Sequence, residues 1–179
     1  MKHILATIFV LLIFSSVSFS QSLGFHGVAG HVALLLPQED GLETGFGFGA
    51  VVNMGEITDG LGLFPKLYYQ LPGVEDVSGV DVTFSALVIG ADVHYGVNEN
   101  VYVGGGLALY SKSSEAEFTN PFTGQKQTID DSESDIGITL LGGYNLNLGT
   151  MPAAIEASYN IVDHYNHLEI AFNVFFGGN

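Results

Sequence analysis

Three features of this sequence predict an all-β fold, an eight-stranded antiparallel up-and-down transmembrane β-barrel. The first is alternation. Across His167–Phe176, Leu168, Ile170, Phe172, Val174 and Phe176 share one parity, while Glu169, Ala171 and Asn173 share the other. That is the period of a strand with one apolar face, and about ten residues is what a tilted strand needs to cross bilayer hydrocarbon. The second is hydrophobicity without a helix. Mean hydropathy is +0.35, with 24 Gly, 13 Phe and 8 Tyr, yet beyond residue 20 no long apolar run remains. Spreading apolar residues one in two is how a barrel meets lipid. The third is the rhythm of the connections, which alternate between long and short.

The strands follow in order. Gly24–Leu36 is ended by Pro37 and the polar loop Gln38-Glu39-Asp40-Gly41. Gly45–Ile57 alternates Phe46, Phe48, Ala50, Val52 and Met54 against Gly45, Gly47, Gly49 and Asn53, and Thr58-Asp59-Gly60 breaks it tightly. Leu63–Leu71 leads to a longer acidic loop, Pro72–Asp81. Val82–Val97 and Val101–Tyr110 are joined by Asn98-Glu99-Asn100, and Ser111–Ser134 reads as the longest and most polar loop. Asp135–Leu148, the turn Thr150-Met151-Pro152, Ala154–Val162 and His167–Phe176 complete the chain. An even strand count leaves both ends on the short-turn side, which faces the periplasm, with the long loops outside.

The first twenty residues read as an export signal, residues 1–20, followed by the barrel domain, 21–179. Lys2 and His3 give a basic start, Ile4–Phe14 an apolar core too short to span, and Ser18-Phe19-Ser20 the small residues before a cut at Gln21. No cysteine is present, so neither a lipidation thiol nor a disulfide framework is available. All 19 acidic residues lie beyond the signal, where the only cations of the Lys/Arg type are Lys66, Lys112 and Lys126. Phosphate-rich nucleic acid is excluded as a partner by this charge.

The export signal, the alternating strands, the Asn98-Glu99-Asn100-Val101-Tyr102-Val103-Gly104-Gly105-Gly106 turn-and-strand and the aromatic last strand resemble the outer-membrane β-barrel domain family, the OmpA/OmpX-like small barrels. The resemblance covers essentially the whole chain after the signal. It implies a bacterial outer-membrane location, with outer-membrane lipid and the barrel assembly machinery as partners. It departs at the end, where Phe176 is followed by Gly177-Gly178-Asn179 and family members often stop on an aromatic residue.

Eight strands enclose a lumen that side chains can fill. By parity it receives Asn53, Gln70, His94, Tyr102, Asn145, Asn147, Asn160 and Asn173, together with the charges Lys66, Asp92, Glu156 and Glu169. Lys66, Asp92 and Glu156 stand at similar distances from a short turn, so a Lys66–Asp92/Glu156 cluster is expected to plug the barrel. Stranding one partner of such a pair costs about 3–5 kcal/mol. Tyr69, Tyr95, Tyr144, Phe172 and Phe176 are the expected lipid-side or interfacial aromatics.

Other motifs have plainer readings. Gly104-Gly105-Gly106 precedes no helix, and small residues in a crowded strand explain it better than a phosphate loop. Asp163-His164 with His167 offers an acid–base pair or a loose metal site, but no nucleophile accompanies it. Asp130-Asp131-Ser132-Glu133-Ser134-Asp135 lacks the spacing and central glycine of a calcium loop, leaving a solvated acidic loop. His26 and His31 are expected to fill the barrel or its rim. The expectation is therefore a non-enzymatic barrel needing neither cofactor nor metal. Its role would be structural or surface-interactive, with at most a narrow passive pore and an extracellular partner met through the loops. The rivals are a soluble lipocalin-like barrel holding a small apolar ligand and a rim-active lipid or peptide hydrolase or acyltransferase.

Overall fold

The computed structural model describes residues 23–75, 80–119 and 125–177; the export segment and its cut lie outside them, as do Gly178 and Asn179. The eight strands are β1 (Leu23–Pro37), β2 (Leu42–Thr58), β3 (Leu61–Val74), β4 (Val80–Gly96), β5 (Val101–Thr119), β6 (Lys126–Leu148), β7 (Met151–Ile161) and β8 (His167–Phe176). Each pairs antiparallel with the next, and β8 returns to β1 through the register Val28↔Phe176 to Pro37↔His167, closing the ring. Closure leaves no strand edge at membrane depth, which is what lets a sheet sit in lipid.

The sheet is inside-out relative to a soluble protein. On β6, Ile138 and Leu140 are 50% and 57% exposed, whereas Thr139 between them is 2% exposed. On β3 the same alternation exposes Leu67, Tyr69 and Leu71 and buries Lys66, Tyr68 and Gln70. The apolar parity faces outward and the polar parity fills the axis, which is the lipid-adapted arrangement. A lipocalin-like reading needs the opposite one.

The heights of the strands correct the expected loops. The described parts of Ser111–Ser134 are strand, not loop. They pair in unbroken register from Ser111↔Ser134 to Thr119↔Lys126, so β5 and β6 run on past the apolar belt. Likewise β3 continues to Val74 and β4 starts at Val80, shortening the Pro72–Asp81 connection. The physical reason is that strand pairing in water needs no apolar face. Backbone hydrogen bonds and cross-strand polar pairs carry it. By contrast β7 and β8 have only 11 and 10 residues, so the outer rim is high on one side and low on the other.

Candidate functional site

Two regions gather polar chemistry: the lumen, and the sheet that β4, β5 and β6 raise above it. In the lumen, Lys66 Nζ lies 2.8 Å from Asp92 Oδ2, with both side chains at most 5% exposed. Lys66 also donates to Thr139 Oγ1 at 3.2 Å, and Thr139 donates to Asn160 Oδ1 at 2.8 Å. Tyr110 Oη donates to the same Asn160 oxygen at 3.1 Å. The ammonium therefore has a carboxylate and a hydroxyl, and stands 5.6 Å from the centre of the Tyr68 ring. A buried cation needs such a shell.

Glu169 anchors a second group from β8. Gln70 Nε2 donates to it at 2.9 Å, and His31 Nε2 and His167 Nε2 lie 3.4 and 4.0 Å away. His31 is held in turn by Asn173 Oδ1 at 2.8 Å and by stacking on Tyr68 at 3.9 Å. Glu156 forms a third group. Its close contact is the Tyr102 hydroxyl, which donates to it at 2.9 Å, with His94 at 3.9 Å. His94 is sandwiched between Phe64 and Tyr102, at 4.1 and 4.6 Å. Glu156 thus takes a phenol where the sequence grouped it with Lys66.

Of the remaining residues assigned to the lumen, Asn53 and Asn145 line a cavity of about 520 Å³ at the short-turn end, with Phe64, His94, Tyr102 and Phe175. Asn147 lines an adjoining cavity. His26 is exposed at that end and borders both. Tyr69, Tyr95, Tyr144 and Phe176 point outward, and Phe172 is half-buried beside Val32, Phe46 and Ile170.

The glycines are part of the lumen's construction. Gly106 pairs with Asp92 and Gly104 with His94 across β4 and β5. A Cβ at Gly106 would overlap the Asp92 carboxylate and the Ala91 carbonyl, and one at Gly104 would press on Leu141 and His94 at 3.0 and 3.2 Å. Gly104 and Gly106 make room for inward side chains of the neighbouring strands.

Towards the outside the lumen narrows on Phe84, Tyr110, Tyr165 and His167. The Tyr165 ring centre stands 5.2 Å from Phe84 and 4.5 Å from His167. Burial, then the Glu169 carboxylate, pushes the Tyr165 phenol above its ordinary range, so its proton stays on. Above this layer Lys112 Nζ meets Asp135 Oδ2 at 2.7 Å and Glu133 Oε2 at 3.5 Å, and donates to the Asp163 carbonyl at 2.6 Å. Lys112 ties the tall β5–β6 hairpin to the short β7–β8 connection, a bond that sequence reading missed because it placed Lys112 in a loop.

Asp163 and His164 are themselves solvent-facing, 3.7 Å apart and more than 70% exposed. His164 adopts φ 53° within the turn that Tyr165 N closes on Val162 O. The pair shapes a turn, and His167 points away from it into the lumen. The acidic run Asp130–Asp135 lies on β6, where alternation sends Asp130 to one face and Asp131, Glu133 and Asp135 to the other. It is a strand, not the loop that the sequence suggested.

No family model matches this sequence, and no curated protein matches it. Solved structures do. Ail, the attachment invasion locus protein of Yersinia pestis, is 16% identical with a TM-score of 0.55, covering 84% of this chain and 97% of that one. Neisserial surface protein A is 14% identical with a TM-score of 0.55, covering 84% and 95%. A second Ail structure, in complex with the heparin analogue sucrose octasulfate, is 18% identical at a TM-score of 0.52 and covers 83% and 95%. The fold is that of the small eight-stranded outer-membrane barrels. At these identities the likeness carries the architecture, and the chemistry of the lumen and rim is this chain's own.

Proposed function

We propose that this protein is an outer-membrane barrel that works through its outer surface, as a body holding up a small acidic sheet for an extracellular partner. The carrying observation is a mismatch of register. Pairing of β5 with β6 continues to Thr119↔Lys126, while pairing of β6 with β7 stops at Ile138↔Ile161, and that of β3 with β4 at Gln70↔Ala86. A three-stranded sheet therefore rises above the ring. Among the described residues no strand pairs with β6 on its far side from Lys126 to Gly137. Such an edge offers main-chain hydrogen bonds to an incoming strand.

Charge selects the partner. Glu115, Glu117, Asp130, Asp131 and Glu133 stand on this sheet, against one exposed lysine, Lys126, which is paired to Glu117 at 3.0 Å. A polyanion of the kind bound in the second Ail structure is repelled here, and a cationic surface or peptide is attracted. The lumen complements this reading. Lys66–Asp92, the Glu169 group and the Tyr102–Glu156 pair form the charged plug, so passive flow is slight.

The test is a shortened hairpin, with residues 113–132 replaced by a two-residue turn. The variant is expected to keep heat-modifiable migration and to lose binding to polylysine-coated surfaces, while the intact protein ignores heparin. Equal binding by both forms would remove the sheet from the function. Single-channel recording in planar bilayers is expected to show no steady current for the intact protein, and a stable open level would remove the plug.

A further inference from the structure

None of the lysines on the barrel reaches lipid. Lys66 is in the lumen on Asp92, Lys112 in the outer mouth on Asp135, and Lys126 at the hairpin tip on Glu117. The three are the only Lys/Arg beyond residue 20, because the chain has no arginine. The histidines nearest solvent are His26 at the short-turn end and His164, which sits beside Asp163.

The lipid-facing side of β4–β6 can be read rung by rung. Between β5 and β6, Leu109 opposite Ile136 is the last apolar rung, and on β4 the exposed Leu87, beside Ser111, carries the apolar face one rung higher. Above Leu109, Ser111 faces Ser134, with their hydroxyls 3.5 Å apart. Next Ser113 faces Ser132 and, on the other side, Ser85. Only then does Glu115 face Asp130. Above Leu87 hydrocarbon thus gives way to a collar of neutral hydroxyls, and the carboxylates begin at Glu115, roughly 20 Å from Leu109 along the tilted strand. At that height they act on the bilayer surface across a salt-dependent screening length.

An anionic head group is drawn to cationic side chains at this depth, and the collar offers none below an acidic crown. Hydroxyls both donate and accept, which suits sugars. We infer that the outer collar on β4–β6 is built to lie against uncharged, hydroxyl-bearing head groups of the sugar type, and that it disfavours anionic phosphate head groups. The inference rests on the reading of the chain as a membrane barrel, and it names the lipid that barrel prefers.

The experiment refolds the full chain after the export segment from urea into three vesicles: phosphatidylcholine, phosphatidylcholine with digalactosyl diacylglycerol, and phosphatidylcholine with phosphatidylglycerol. Folding is followed by heat-modifiable migration. In about 10 mM salt the anionic vesicles are expected to slow folding at least about fivefold relative to the other two, and about 0.5 M salt to remove most of that difference. Galactolipid is expected to match or exceed phosphatidylcholine. Two variants of equal net charge locate the effect. Ser111→Lys with Ser134→Lys puts cations in the collar, while Ser114→Lys with Thr128→Lys puts them on the hairpin above it. The collar variant is expected to recover most of the anionic penalty and the hairpin variant little of it. Equal or faster folding of the unaltered protein in anionic vesicles overturns the lipid preference and leaves the barrel standing. Equal recovery by both variants overturns the collar as its seat. A chain that folds in none of the vesicles overturns the barrel reading itself.

Discussion

The lumen and the raised hairpin hold the same interaction in opposite solvents. Lys66 meets Asp92 at 2.8 Å with both side chains at most 5% exposed, and Lys126 meets Glu117 at 3.0 Å with the lysine 74% exposed. Lys112 lies between: its own side chain is 6% exposed, but its partners Asp135 and Glu133 are 21% and 58% exposed. Geometry does not separate the three. Solvent does, because a buried partner left alone has no water to turn to, whereas an exposed one is rehydrated at once. The three lysines beyond residue 20 form a depth series, and the cost of losing each measures how dry its surroundings are.

The largest break in that series is expected at the axis. Lys66→Ala leaves the Asp92 carboxylate in a low-dielectric interior and should lower stability by about 3–5 kcal/mol, read as a shifted urea midpoint of the refolded barrel by circular dichroism. Replacing both partners, Lys66→Met with Asp92→Leu, should return most of that loss, since an apolar pair of similar volume is often neutral. If the double variant proved as unstable as the single one, the lysine's packing would matter more than its charge. A second probe of the same layer is Gly106→Ala, whose Cβ overlaps the Asp92 carboxylate. Overpacking there should cost about 1–3 kcal/mol. A midpoint equal to the parent's would mean that Asp92 has room to move and that the lumen is less full than drawn.

The contrast also decides what could be read from the sequence. Strand number, order and facing were legible because lipid demands apolar residues on one parity, and Ile136, Ile138 and Leu140 supply that signal without ambiguity. The opposite parity named the lumen candidates, of which Lys66, Asp92 and Glu169 are buried while Asn145 and Asn147 are exposed. Partners among them did not follow. Distance from a short turn stood in for height and grouped Glu156 with Lys66, whereas the barrel's stagger brings Tyr102 within 2.9 Å of it. Tyr68, Tyr110 and Tyr165 fill the lumen but read as ordinary aromatics; the glycines opposite inward positions, such as Gly104 and Gly106, were the available clue. Above the membrane the signal vanishes. Ser111–Ser134 has no apolar parity because its strands have left the hydrocarbon, and a search for greasy periodicity reads such a stretch as a loop.

Lys112 tests whether the raised hairpin is fastened or merely extended. Lys112→Ala removes the ammonium from Asp135, Glu133 and the Asp163 carbonyl together. With Glu133 58% exposed and Asp135 21% exposed, the loss should be smaller than at Lys66, on the order of 1–2 kcal/mol. Hydrogen exchange offers a sharper readout than the midpoint. Amides of the β5–β6 extension and of the Val162–Asn166 connection should exchange faster in the variant, while those beside Lys66 keep their protection. Faster exchange confined to the hairpin would mean that the tie to Asp163 carries no force.

Lys126 closes the series with the smallest effect. Its pair with Glu117 joins β5 and β6 diagonally near their outer ends, where Coulomb attraction is screened and two long side chains must be ordered to form it. Lys126→Ala is expected to change the midpoint by less than about 0.5 kcal/mol, and any difference should vanish in about 0.5 M salt. The same salt should leave the Lys66→Ala loss almost whole, because a pair with both side chains at most 5% exposed is little screened. The difference in salt response, more than either absolute value, separates a dry pair from a wet one. A Lys66→Ala penalty that fell away with salt would mean that ions reach Asp92 and that the barrel axis is an open path.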